Sequence, residues 1–266
     1  MFETPPFVHI GGDSLSRMQV DEGNELEVAK ADLKNFYHVC AAPQPLQKFL
    51  GLRRVKASLL RAAGIDVPHS RVDSRGYCWP RLATIPMGWG PAPGVCQGGH
   101  EATLYGDKGD GSDTARALKP VLDPAARWSS AGVPDLDTAA AAAPHALIVD
   151  DFLLFRQRKR RRRRRRPAQE PTVGPAGSAA ADGDSRLRDA CARYAEVGLE
   201  AHPDKINDFS TEQDLLGYHL ERNVLRAQSG RYHNLWAWVR ELERRGRAHP
   251  REVEKVVGKL THIFLI

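Results

Sequence analysis

Two adjacent aspartates, Asp150 and Asp151, stand inside the apolar run "ALIVDDFLLF" (146–155). Burying one carboxylate among aliphatic and aromatic side chains is costly, and a second beside it adds repulsion. A divalent cation offsets that cost by neutralising the pair. Ile148 and Val149 lead from an apolar strand into a tight turn at the pair, and "FLLF" returns as a second strand. At such a hairpin tip both carboxylates can approach one cation, whereas in a straight strand they would point to opposite faces. One aspartate pair supplies too few ligands for two ions. A third carboxylate is available at Asp32, where a short strand-like run ends in "VAKADLKNFYHV" (28–39). Taken alone, each segment also fits a bland reading, a strand-end turn for Asp32 and a solvated loop for the pair.

The elements that must position these residues can be sketched from periodicity. Residues 26–104 alternate periodic segments with turn signals. Residues 106–144 are rich in Gly, Pro, Asp and Ala and exceed a typical connection, so they read as an insertion or mobile loop. Residues 145–155 form a strand-turn-strand. Residues 156–185 join an arginine run to "PAQEPTVGPAGSAAADGD", which has the composition of a flexible linker. From Ser185 a helix is expected, with Leu187, Cys191, Tyr194 and Val197 on one face, Asp184 or Ser185 as its cap and Gly198 at its end. "DLLGYHLE" alternates Leu216, Tyr218 and Leu220 as a half-buried strand does. Two helices follow. The second opens at Pro250 and carries Val253, Val256, Val257, Leu260 and Ile263 as one apolar face. The apolar ending "THIFLI" reads as a place where an ancestral chain continued.

The 266 residues can hold one large domain or two small ones. A hydrophobic fraction of 41% and a charged fraction of 27% describe a soluble globular protein. No apolar run approaches the roughly 18–20 residues of a membrane span, and "MFETPPFVHI" lacks the pattern of a secretory signal. Cys40, Cys78, Cys96 and Cys191 are scattered without Cys-x-x-Cys pairs, which favours reduced thiols inside a cell over a structural zinc site. The net charge of +6 is a local feature: residues 156–166 hold ten cations, and the remainder carries 29 basic against 33 acidic residues. That run suits phosphate neutralisation on nucleic acid or a nuclear address; a meaningless expansion is the third reading.

Five segments, in order across residues 28–221, resemble the palm of reverse transcriptases of retrotransposon and retroviral type. "ADLKNFYHV" resembles the first palm motif, "IPMGWGPAPGVCQGGHE" the second, "IVDDFLLF" the third and "VGLEAHPDKINDF" the fourth, while "LLGYHLE" resembles the Leu-Gly-Tyr strand that grips the primer. The final "REVEKVVGKLTH" resembles the helix that follows in retroelement polymerases. The resemblance implies an α+β palm, an antiparallel sheet with helices on one face, with partial fingers and the start of a thumb. It divides the chain into a fingers remnant (1–27), a first palm part (28–155) with a fingers-like insertion (46–84) and the loop at 106–144, an Arg-rich linker (156–185), a second palm part (186–228) and thumb or connection helices (229–266).

By the same resemblance the activity is RNA-directed DNA polymerisation with two magnesium ions, manganese being a substitute. Asp32 and Asp150 would bridge the ions and Asp151 would support them. Lys205 would protonate or contact the pyrophosphate, with a solvated lysine as the alternative. Leu33, Phe36, Tyr37, Met87 and Gly88 would line the nucleotide, with backbone N–H groups near Phe36 on the triphosphate and Tyr37 under the sugar, or else in the core. Trp89 would stack or pack, and Gln97 and His100 would be structural. Arg53, Arg54, Lys56, Leu216, Gly217 and Tyr218 would contact the nucleic acid. The partners implied are an RNA or DNA template with primer, a deoxynucleoside triphosphate, and a second chain supplying fingers or RNase H, with no membrane involved. The sequence departs from the family at Phe36, Met87 and Ile148, where relatives carry a small residue, a glutamine and a tyrosine. Only 31 residues precede Asp32, and no RNase H, integrase or protease pattern is visible. The alternatives are an inactive palm kept as a nucleic-acid-binding or scaffold module, and a chain in which only the Arg-rich segment functions.

Overall fold

The computed structural model describes residues 12–106, 118–128, 144–160 and 185–264. Its centre is a strand of alternating character, β1 (Asn24–Asp32). Leu26 and Val28 leave one face of this strand, and Ala29 and Ala31 leave the other, all of them buried. β1 pairs along its whole length with β5 (Asp151–Lys159), from Asn24↔Lys159 to Asp32↔Asp151, in unbroken antiparallel register. β4 (His145–Ile148) joins β5 through a tight turn, and β6 (Asn207–Ser210) completes a four-stranded sheet of order β4-β5-β1-β6.

Each face of the sheet buries its own core. On the first, the small side chains of Ala29 and Ala31 leave room for two helices, α5 (Ala92–Tyr105) and α6 (Ser185–Glu196), packed with Phe152, Leu154, Leu187, Ala190 and Tyr194. α5 contains three glycines, so its stability comes mainly from this packing rather than from helix propensity. On the second face Leu26, Val28, Leu153 and Phe155 meet Trp128 and a three-stranded meander. The meander consists of β7 (Glu212–Leu215), β8 (Tyr218–Glu221) and β9 (Val224–Ala227). The architecture is therefore α+β, with antiparallel sheets and helices on one face of the larger sheet, as expected.

Between β1 and α5 lie α2 (Phe36–Val39), α3 (Gln44–Gln47), β2 (Val55–Lys56), α4 (Ala57–Ala62) and β3 (Tyr77–Cys78), the last three within the insertion. β2 and β3 form a separate two-stranded sheet, and Ala57, Val67 and Cys78 make a small core beneath it. At the other end of the chain, α7 (Ser229–Arg245) and α8 (Pro250–Phe264) form a helical pair around Leu235 and Val256. A short helix, α1 (Gly12–Ser16), precedes β1. Among the described residues no helix is long and apolar enough to cross a membrane.

Four features differ from the sequence reading. The presumed loop 106–144 contains a packed stretch, 118–128, in which Leu122, Ala126 and Trp128 are buried and Asp123 caps a 3-10 turn. The presumed linker at 156–185 begins as strand: Arg156 and Arg158 lie in β5 and pair at 2.7 and 3.1 Å with Glu27, whose side chain is only 6% exposed. Two arginines on one buried carboxylate, with Arg156 also over the Phe209 ring, explain why an apparently featureless basic run is structured at its start. "DLLGYHLE" is a hairpin and not one strand: Leu216 and Gly217 both have positive φ and form the turn between β7 and β8. On α8, Val253 and Val257 are exposed, while Val256 is buried with Leu260 packed beside it, so the expected apolar stripe is covered in part; the Ile263 side chain lies outside the described residues. The fingers remnant before Gly12, the rest of the loop, Arg161 to Arg166 with the remainder of the linker, and the Asp184 cap lie outside the described residues.

Candidate active site

The geometry is set by the hairpin between β4 and β5. Val149 and Asp150 form its turn, and Val149 adopts φ +55°, an unfavourable conformation for a β-branched residue. Strain of this kind costs about 1–3 kcal/mol and persists only where the surroundings hold it. Two buried polar side chains of α5 do so. Gln97 Oε1 accepts from the Val149 N–H (2.6 Å), and Gln97 Nε2 donates to the Leu147 carbonyl (2.9 Å). His100 Nδ1 lies 2.8 Å from the Val149 carbonyl, and its Nε2 lies 2.6 Å from the Tyr194 hydroxyl on α6. Burial holds the His100 pKa down at about 4, so the ring is neutral at physiological pH. Its Nδ1 then carries the proton donated to Val149, and its Nε2 accepts from Tyr194. Gln97 and His100 are structural, as expected, and what they support is the turn that presents Asp150.

Three carboxylates from two distant segments meet at this end of the sheet. Asp32 faces Asp151 across the β1–β5 ladder, and the Leu33 N–H donates to the Asp150 carbonyl (2.8 Å). Burial raises the pKa of Asp150, and the charge of Asp32 adds to the rise. Asp151 is pushed up to about 6 by burial first, then by Asp150 and Asp32. The opposing positive charge comes from Lys205, at the end of a 3-10 turn (Pro203–Lys205) that follows α6. Its Nζ donates to both Asp32 oxygens, at 3.0 and 2.9 Å, and these bonds raise the lysine's pKa. The turn is anchored by the His202 N–H, which donates to the Asp32 carbonyl (2.8 Å).

The donor set suits a hard divalent cation, since the oxygens are carboxylates whose mutual repulsion a cation relieves. In the arrangement observed, both Asp32 oxygens engage Lys205, and among the described residues no group of three His, Cys, Asp or Glu side chains is assembled for a metal ion.

The remaining expected residues divide clearly. Tyr37 is partly buried against the core. Its hydroxyl pKa is raised by burial first and then by Cys96, Asp150 and Cys40. Leu33 and Phe36 are core residues, 2% and 3% exposed, so their side chains cannot line a nucleotide. Phe36 packs toward His100 with ring centroids 5.7 Å apart. Met87 is exposed, and Gly88, at φ +91° with open space where a Cβ would stand, shapes the turn before α5. Trp89 packs against the core. Arg53, Arg54 and Lys56 are exposed on the insertion, Arg54 over the Tyr77 ring. Tyr218 is 1% exposed in the second core and is not available to a primer, because the hairpin turn at Leu216 and Gly217 turns it inward. Sequence reasoning missed the strain at Val149, which nothing in "IVDD" announced.

No family model matches the chain, and no curated protein matches it. Among solved structures, the foamy viral protease-reverse transcriptase in complex with an RNA/DNA hybrid is similar over 88% of this chain, with a TM-score of 0.45 and 10% identity. The same viral protein in complex with dsDNA is similar over 96% of this chain, with a TM-score of 0.43 and 10% identity. The chain spans 21% and 36% of the length of those two chains.

Proposed function

We propose that the chain is a palm-type nucleotidyltransferase that extends a primer on an RNA template. The observation that carries this reading is the meeting of Asp32 with the Asp150–Asp151 turn beside Lys205, built by segments distant in sequence. The reaction is attack of a primer 3′-hydroxyl on the α-phosphate of a deoxynucleoside triphosphate, with release of pyrophosphate. Asp32, Asp150 and Asp151 would hold two magnesium ions, or manganese in their place, and the ions would supply positive charge to stabilise the transferring phosphate. Lys205 is protonated at neutral pH and holds its proton where it can pass to the departing pyrophosphate. Tyr37, braced against the core, would lie under the nucleotide sugar. The exposed Arg53, Arg54 and Lys56 supply phosphate contacts for the template.

A second reading, a palm that binds nucleic acid without turnover, is favoured by the engagement of both Asp32 oxygens with Lys205. Primer extension on an RNA template with magnesium separates the two. Extension by the wild type that is lost in Asp150→Ala supports the enzyme. Template binding without extension in either protein supports the second reading.

A further inference from the structure

Arg127 stands near the end of the packed stretch 118–128 and reaches the carboxylate turn through two side chains of α5. Its Nη2 pairs with Glu101 Oε1 at 2.7 Å, and the two side chains are only 24% and 27% exposed. The same Glu101 oxygen accepts from Gln97 Nε2 (2.8 Å), which also donates to the Leu147 carbonyl (2.9 Å). Gln97 Oε1 accepts from the Val149 N–H (2.6 Å). The contacts therefore run from Arg127 through Glu101 and Gln97 to Val149, one residue before Asp150.

The two ends of a side-chain amide are alike in size and opposite in hydrogen bonding. Reversed in its place, Gln97 would set its NH2 group against the Val149 N–H, donor to donor, and its carbonyl against that of Leu147. A carboxylate paired with an arginine only accepts, so Glu101 selects the orientation that the turn needs. Arg127 holds that carboxylate, and its own stretch is fixed at both ends. The Val121 and Leu122 N–H groups donate to the Leu104 carbonyl on α5 (2.7 and 3.2 Å), and Arg193 of α6 donates to the Lys119 carbonyl (2.7 Å). At the other end the Trp128 N–H donates to the His145 carbonyl at the start of β4 (2.7 Å), and the Trp128 ring packs on Phe155.

We propose that Arg127 and Glu101 are positioning residues, which fix the Gln97 amide and thereby hold the strained Val149 turn that presents Asp150. Neither touches the reacting atoms. A segment whose composition signals a loop thus carries the outermost support of the candidate active site. The hold on the turn stands on the hydrogen-bond geometry alone; its effect on primer extension rests on the polymerase reading above.

The test compares the full chain with Arg127→Ala, Glu101→Ala and Arg127→Lys by hydrogen exchange in assigned proton–nitrogen correlation spectra. The reporters are the Val149 amide and the Gln97 side-chain N–H pair, and the amides of the β1–β5 ladder report global opening. Both alanine variants should speed exchange at the reporters by about tenfold or more relative to the ladder. Arg127→Lys, which keeps a donor for Glu101, should restore most of the protection. Should Arg127→Ala not fold, Glu101→Ala carries the comparison. Reporters that stay at the wild-type rate, or that speed up no more than the ladder, overturn the proposal, because a merely stabilising ion pair would move all amides alike. Where the wild type extends a primer, single-turnover extension should fall by about tenfold in the alanine variants with template affinity unchanged, and recover in Arg127→Lys. Wild-type extension with a loosened turn overturns the link to catalysis. A wild-type chain that extends nothing overturns the polymerase reading and leaves the exchange result standing.

Discussion

Asp32 and Asp151 are direct partners in the antiparallel β1–β5 ladder, so their side chains leave the same face of the sheet. Like charges placed opposite each other destabilise a ladder, and the eight other pairs of this one hold them there. Lys205 offsets part of the repulsion by bonding both oxygens of Asp32.

The Asp151 pKa of about 6 makes stability depend on pH in a defined direction. The folded value lies above the unfolded one, so below about pH 4 the group is protonated in both states and contributes nothing. Between about pH 4 and 6 the folded chain binds more protons, and stability falls as pH rises; above that window the penalty is complete. Asp151→Asn should therefore stabilise the metal-free protein by up to about 3 kcal/mol at about pH 8 and by little at about pH 4. Thermal melts in chelator at the two pH values measure this, and an equal shift at both would refute it.

Gln97→Ala should destabilise the chain by roughly 1–3 kcal/mol, because it strips partners from the buried Val149 N–H and the Leu147 carbonyl together. Extension should fall more than stability alone accounts for at a temperature where the variant remains folded, since the strained turn presents Asp150. Denaturant unfolding alongside single-turnover extension separates the two effects; extension that stays at the wild-type rate in folded Gln97→Ala would show that the turn does not need this support.

The path from residues to site was legible where chemistry and periodicity coincide. Asp150 and Asp151 inside an apolar run announced a hairpin tip, Asp32 a strand end, and Pro250 and Gly198 a helix start and end. The hairpin turn at Leu216 and Gly217 was hidden because a leucine in a positive-φ conformation looks, in a sequence, like the next buried strand residue. Glu27 likewise reads as a solvent-facing strand position until β5 brings Arg156 and Arg158 against it. Trp128 lay in a segment whose composition signals a loop, yet it stacks edge-on against Phe155 at 5.3 Å. The last two depend on a partner distant in the chain, which local pattern does not encode.

Lys205→Ala tests whether the lysine matters to chemistry or only to the resting ion pair. Its side chain is about half exposed, so loss of the pair with Asp32 should cost under about 1 kcal/mol of stability. Single-turnover extension should fall by about 10²-fold or more if the lysine passes a proton to pyrophosphate, with Lys205→Arg restoring the ion pair but little of the rate. Rates equal to wild type in Lys205→Ala would leave the lysine as a counter-charge only.

Gly217→Ala separates backbone strain from crowding. Gly217 has φ +89°, and a Cβ there would collide with the Arg231 guanidinium, which lies over the turn from α7. The first cost is unavoidable for an alanine, about 1–2 kcal/mol; the second falls on the far end of a flexible side chain that can move aside. Arg231→Ala added to Gly217→Ala should therefore recover only a minor part of the loss, measured as the coupling in a double-mutant cycle of unfolding free energies. Recovery of most of the stability in the double variant would mean that the close approach of Arg231, and not the left-handed backbone, is what requires glycine at this turn.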